Sequence, residues 1–361
     1  MIDKAIEYLR SQQDTSGGWA IPPEGPVFPA ITAMVVQGMV MSPDIDENDE
    51  HVRRGVEFIL GYVQPDGGIY DRILAGYNTS ISLSALSHIL RPEAMATVEN
   101  AQAFIKSLQW SDESIDHAET GRVGREHPFY GGIGYGSNGR PDMSNLSMML
   151  QGLHDSGLAT SDEAFERAVH FLQRCQMVDA INDMDYADGS MQGGFIYATS
   201  RNSEPENMGR GESKAGEIDE VLADGRVGTR LRAYGSITYA GFKSYLYADL
   251  TRDDPRVQLA YDWIRRNYTL DENPGLGMQG LYYGYVTFAK AMDAYGEEFI
   301  TTLRPDGSPG ETRDWANDLI DALASLQNED GSFRSVHDRW MENNTVLITA
   351  YSLLALQHAS R

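Results

Sequence analysis

The sequence predicts an all-α protein, an α6/α6 toroid with six inner helices standing inside six outer ones. Three observations lead there. A glycine turn, usually followed by an aromatic, recurs at residues 17, 67, 131, 193 and 331, with spacings of 50, 64, 62 and 138, the last about two periods. Before each turn the apolar residues repeat on one helical face; after it they run nearly all round, as an inner layer requires. No Pro- or Ser-rich linker divides the chain, so residues 1–361 are expected to form one domain.

Six helix pairs follow in order, spanning approximately 1–42, 51–91, 98–157, 162–250, 254–296 and 312–359. The first opens with Ile2, Ala5, Ile6 and Leu9 on one face, turns at Gly17, Gly18 and Trp19, and continues in the apolar stretch from Pro29 to Met41. An acidic run, Asp44 to Glu50, leads into the second; it lacks the glycine and distal Glu of a calcium loop and reads as a solvated helix start. The second pair carries Val52, Val56, Ile59 and Leu60, then Gln64 to Tyr70, then Tyr77 to Leu90. The third carries Ala101, Phe104, Ile105 and Leu108, a polar insertion, the turn Tyr130 to Tyr135, and a helix from Pro141 to Leu153. In the fourth, Phe165, Ala168, Val169 and Leu172 precede the turn at Gly193, and the second helix waits until Tyr234. The intervening 198–233 is a charged excursion, expected to be a lid or insertion. The fifth pair has a degenerate turn from Asn273 to Gly277, and the sixth runs through Gln327, Gly331 and Phe333 to His358.

The turn has a readable physical role. Paired glycines should supply positive φ where the outer helix stops. The aromatic should staple adjacent repeats, and a following Asn, Ser, Thr or Asp should cap the inner helix, gathering the caps at one end of a central cavity.

Composition sets the class of partner. The chain has 53 acidic against 29 basic residues, a net charge of −24, which disfavours nucleic acid and anionic membrane surfaces. One cysteine, Cys175, excludes an internal disulfide and a Cys-rich metal site while leaving the compartment open, export included. No stretch of 18 apolar residues appears, so a water-soluble protein is expected. The eight His are scattered, and the Asp-rich stretch Asn182 to Asp188 lies in an interhelix loop, so no metal and no cofactor is expected.

At the turns the chain resembles the prenyltransferase and squalene-cyclase repeat family. Gln13 with Gly17 and Trp19, Gln64 with Gly68 and Tyr70, and Gln327 with Gly331 and Phe333 resemble its Gln-x-x-x-Gly-x-aromatic motifs. The resemblance covers all six repeats. It implies a deep apolar cavity that receives an isoprenoid or other lipid-like ligand, and a protein of the class II terpenoid cyclase type. In that family the middle Asp of an Asp-x-Asp-Asp motif protonates the substrate. Here the matching positions are Asp142, Met143, Ser144 and Asn145, with Ser144 where the proton donor would stand. The family's zinc-dependent protein prenyltransferases are a poor match, because Cys175 and the His residues are not where their ligands lie. A non-catalytic toroid that binds a lipid or a protein partner is the alternative.

The candidate catalytic residues are therefore Asp142, Ser144 and Asn145. Asp142 would be kept protonated by an apolar cavity; as a plain N-cap it would have no chemistry at all. Tyr234, Tyr239, Tyr282, Tyr283 and Tyr285 crowd the starts of two inner helices and can face a developing carbocation, or simply pack. Asn78 and Asn344 stand at the starts of two other inner helices, and Lys214 and Arg232 of the excursion can meet an anionic headgroup.

Overall fold

A computed structural model describes residues 1–21, 27–112, 122–136, 139–335 and 337–361. Among them are twelve α-helices that alternate between two layers. In chain order they are α1 (Ile2–Ser11), α2 (Pro29–Val40), α3 (Glu50–Leu60), α4 (Ala75–Leu86), α5 (Pro92–Ser107), α6 (Met143–Asp155), α7 (Glu163–Cys175), α8 (Gly235–Tyr247), α9 (Pro255–Arg266), α10 (Leu281–Tyr295), α11 (Trp315–Leu326) and α12 (Thr345–Ala359). The even-numbered helices pack in sequence, α2 on α4 and so on to α12, and α12 returns to α2. Each odd-numbered helix lies against the outside of that ring. The chain is an α/α toroid.

Burial explains the layering. In α3 only Val52, Gly55, Val56 and Ile59 are buried, a one-faced stripe, whereas in α12 nearly every residue from Val346 to Ala359 is. Two antiparallel hairpins, not anticipated from the helical periodicity, decorate the rim. β1 (Glu217–Val221) pairs with β2 (Val227–Leu231) inside the 198–233 excursion, and β3 (Phe299–Leu303) pairs with β4 (Pro309–Asp314).

The repeated turn works differently from the simple expectation. Positive φ belongs to the first glycine of each pair, and to Gly331, where serine replaces the second: Gly17, Gly67, Gly131, Gly193 and Gly331 lie between +81° and +94°. The second glycine is small because a ring needs its space; a Cβ on Gly68 would meet the Phe104 ring at 2.7 Å. The glutamine before the turn is a clasp at Gln13, Gln109, Gln176 and Gln327, whereas Gln64 donates to the Tyr62 and Tyr70 carbonyls of its own turn. Gln176 Nε2 donates to the Gly193 carbonyl and to the Arg256 carbonyl of the next outer helix, both at 2.9 Å, and Gln109 does the same with Gly131 and Ala164 at 2.9 and 3.0 Å. Gln327 closes the ring, donating to Gly331 and to Met1.

Threonines inside the inner helices accept the N–H that follows the glycine pair: Thr32 from Trp19, Thr79 from Ile69, Thr238 from Phe195 and Thr349 from Phe333, at 2.8–3.2 Å. The expected local caps are found only at Asp142 on α6 and Asn344 on α12. The other inner helices borrow caps from the repeat that follows. Asn78 accepts from Ala30 N at the start of α2, Asn273 from Ser236 N on α8, and Glu342 from Tyr283 N on α10. The first-turn donors are therefore satisfied across repeat boundaries, which fixes the angle between successive inner helices.

Candidate functional site

The inner helix starts surround a cavity of about 410 Å³. Six tyrosines line it: Tyr77, Tyr135, Tyr197, Tyr234, Tyr283 and Tyr351. Burial raises the pKa of each hydroxyl, so they face the space as neutral donors on apolar rings. Tyr283 Oη donates to Ser144 Oγ at 3.2 Å, and the Tyr77 and Tyr351 hydroxyls interact. Such a wall packs against an apolar ligand and presents ring faces to positive charge.

The mouth is built from strained backbone. Leu74, Trp340 and Met341 line the cavity and hold φ of 58°, 58° and 66°, the left-handed region that non-glycine residues rarely occupy. Trp340 and Met341 end a short 3-10 turn, Arg339–Met341, which delivers the next residue, Glu342, to the cavity wall.

Glu342 is the residue that the sequence did not reveal. It is 1% exposed, and it is the one carboxyl on the cavity wall among the described residues. Its Oε1 accepts from Tyr283 N at 2.9 Å, while Oε2 is buried with no hydrogen-bond partner. Burial raises its pKa to about 7, against the lowering pull of the Tyr283, Leu281 and Tyr282 N–H groups at the start of α10. It is thus a carboxyl that keeps its proton to higher pH than an ordinary glutamate and has one oxygen without a partner. Its signal in the sequence was slight: an acid two residues before the cap of an apolar helix.

The sequence-predicted residues divide by their place on the helices. Ser144, Tyr234, Tyr283 and Lys214 line the cavity. Asp142 lies behind the wall, 1% exposed: its Oδ1 accepts from Asn145 N at 3.0 Å, its Oδ2 from Asn145 Nδ2 at 2.8 Å, and the Tyr197 hydroxyl also donates to it. Burial raises the Asp142 pKa despite these bonds and the nearby Arg140. Asn145 is committed to Asp142 and sits off the cavity wall, as do the following. Tyr282 and Tyr285 flank Tyr283 on the helix, so their side chains enter the seams, where their hydroxyls donate to the Arg334 and Leu270 carbonyls. Tyr239 packs edge-on against Phe288. Asn78 and Asn344 are spent on helix caps, and Arg232 borders a separate outer groove beside Trp263. Lys214 sits 4.6 Å above the Tyr197 ring and pairs with Glu212 at 2.5 Å; Arg140, also paired with Glu212, covers Tyr197 at 5.3 Å. The cations at the mouth thus already have a counter-charge.

No group of three or more His, Cys, Asp or Glu placed to hold a metal is found among the described residues. None of their helices is long and apolar enough to cross a membrane. Cys175 is buried, and burial raises its thiol pKa.

No family model matches the chain, and no curated protein does. Solved structures do. A variant of the type II terpene cyclase MstE from Scytonema, in complex with geranylgeranyl dihydroxybenzoate, aligns over 99% of this chain and 96% of its own, with 12% identity and a TM-score of 0.57. An α-1,6-mannanase variant of Salegentibacter in complex with α-1,6-mannotriose aligns over 99% and 98%, with 8% identity and a TM-score of 0.58. A D-mannose isomerase aligns over 99% and 97%, with 10% identity and a TM-score of 0.56. At such identities the likeness is one of fold, and that fold hosts terpenoid and carbohydrate chemistry alike.

Proposed function

We propose that this chain is an isoprenoid-handling protein of the class II terpenoid cyclase type, in which Glu342 is the acid. The observation that carries the reading is a buried carboxyl on the wall of a tyrosine-lined cavity, with one oxygen lacking a hydrogen-bond partner and a pKa that burial raises to about 7. Protonating an alkene needs a neutral acid held away from water, and the cation that results needs aromatic faces and no nearby nucleophile. Glu342 gives its proton to a terminal alkene, the cation is passed along the chain under the tyrosine rings, and the terminal cation loses a C–H proton to the Glu342 carboxylate, which forms the product alkene and regenerates the acid. Asp142 acts through Tyr197, as the group that holds the hydroxyl in place, and Ser144 does the same for Tyr283. The fold admits this chemistry, as the type II terpene cyclase that shares it illustrates, and the choice among the chemistries of the fold rests on the cavity wall. Glycoside hydrolysis is less well supported, because it takes two carboxyl groups flanking one bond and the wall offers one among the described residues.

The test is product analysis after incubation with squalene and with linear prenyl alcohols and acids, using the wild type, Glu342→Gln and Asp142→Asn. Cyclised product from the wild type, none from Glu342→Gln and reduced product from Asp142→Asn is the expected pattern. Loss only in Asp142→Asn moves the acid to Asp142. Tight binding without turnover in any of the three proteins establishes a non-catalytic lipid-binding toroid instead.

A further inference from the structure

Below the tyrosine ring, toward the C-terminal ends of the inner helices, the lining changes character. A chamber of about 50 Å³ adjoins the cavity across a shared wall of Met148, Tyr283 and Tyr351. Its walls carry Lys243 of α8 and Lys290 of α10, both of which donate to the same atom, Gln151 Oε1 of α6, at 2.8 and 3.1 Å. Once protonated, each amine has two further N–H bonds to offer. Ser80, 1% exposed, also lines the chamber, and its hydroxyl has no partner. Two amines converging on one carbonyl oxygen beside an unpartnered hydroxyl form a cluster of donors with too few acceptors.

We propose that this chamber is a binding site for the carboxylate end of an amphiphilic ligand whose hydrocarbon chain fills the tyrosine-lined cavity. The inference rests on the isoprenoid reading for the identity of that chain, but not for the head. Size selects the head group. A space of about 50 Å³ holds three or four water-sized groups, which suits a carboxylate and excludes a diphosphate. Charge agrees. Burial, and then Lys290, push the Lys243 pKa well below that of an ordinary lysine, and burial brings Lys290 down to about 8. Asp155 opposes both shifts, but its carboxylate is already held by the Ser84 hydroxyl and by His154 Nδ1 at 3.3 Å. A second carboxylate between the amines restores their charge and gives Ser80 its missing partner. Tyr283 and Lys290 are seven residues apart on α10, about 10 Å of helix rise. A ligand seated by its acid end therefore runs up the cavity toward Glu342, which lies at the start of the same helix.

Titration calorimetry with farnesoic acid, farnesol, farnesyl diphosphate, dodecanoate and dodecanol tests the site. The wild type should bind farnesoic acid at least tenfold more tightly than farnesol and more tightly than the diphosphate. Lys243→Met and Lys290→Met, which keep the alkyl stem, should each abolish that preference without weakening farnesol. Lys214→Met at the mouth should leave it intact. Equal binding of farnesoic acid and farnesol to the wild type overturns the head-group site while the isoprenoid reading stands. So does a preference for the diphosphate, or one that Lys214→Met removes. A lysine-dependent preference for dodecanoate over dodecanol without farnesoic acid binding keeps the site and sinks the isoprenoid reading. If neither acid binds, both fall. Should the lysine variants fail to fold, Ser80→Ala is the second probe, expected to lower acid affinity alone.

Discussion

Replacing Glu342 by Gln separates a trapped acid from an ordinary helix cap by stability alone, with no substrate needed. The amide keeps an oxygen for the Tyr283 N–H and cannot ionise. In the wild type the folded-state pKa is about 7 and the ordinary value 4.5. Between those values the native protein holds a proton that the unfolded chain has released. Stability therefore falls as pH rises through the window, and the full loss is present above pH 7. A difference of about 2.5 units corresponds to on the order of 3 kcal/mol. At roughly 2 °C per kcal/mol for a chain of this size, the melting temperature of Glu342→Gln relative to the wild type should climb by about 5 °C between pH 4.5 and 8. Every other titrating group is common to both proteins and cancels in the difference. Melts followed by circular dichroism at half-unit intervals provide the measurement. A difference that stays flat, or that falls with pH, means Glu342 is ionised in the folded protein, and the acid assigned to it is lost.

Other outcomes follow from the same contacts. Isoprenoid turnover should decline above pH 7 as Glu342 gives up its proton, and a rate that rises there instead would point to a base. Gly67→Ala should cost about 2 kcal/mol, since Gly67 holds φ +90° and a Cβ would lie 2.7 Å from the Asn100 carbonyl; an unchanged melting temperature would show that the turn relaxes. Gln176→Leu strands the Gly193 and Arg256 carbonyls and the Tyr245 hydroxyl, a loss of about 2–4 kcal/mol read from denaturant melts. Asp142→Asn should melt within about 1 kcal/mol of the wild type, because an amide can still cap α6; a larger loss would mean that the carboxylate charge itself matters there.

The toroid was legible because its signals are local and repeated. One-faced helices, glycine turns and the glutamine before each turn recur often enough to be counted. The hairpins β1–β2 and β3–β4 were hidden in segments where no helical period runs, although the alternating Val and Thr of residues 227–231 carried a faint strand signal. Ser144, Tyr234 and Tyr283 were found because the starts of inner helices were the right place to look. Their neighbours Tyr282 and Tyr285 were not separable from Tyr283 without knowing the helix rotation. Glu342 escaped because its role is set across a gap of 59 residues, as the cap of a helix in the preceding repeat. Lys243 and Lys290 left a trace that was available: each is a lone cation inside a helix otherwise buried all round.

The clasp between Gln327 and Met1 changes how the molecule can come apart. An open solenoid frays, because its outermost repeat has one neighbour and can detach while the rest stays folded. Here every repeat has two neighbours, and every borrowed cap would be orphaned if its lender unfolded. Loss of one helix pair thus opens the circle and exposes the apolar bore to water at a single stroke. Unfolding should be one sharp transition, with slow and uniform hydrogen exchange around the inner ring.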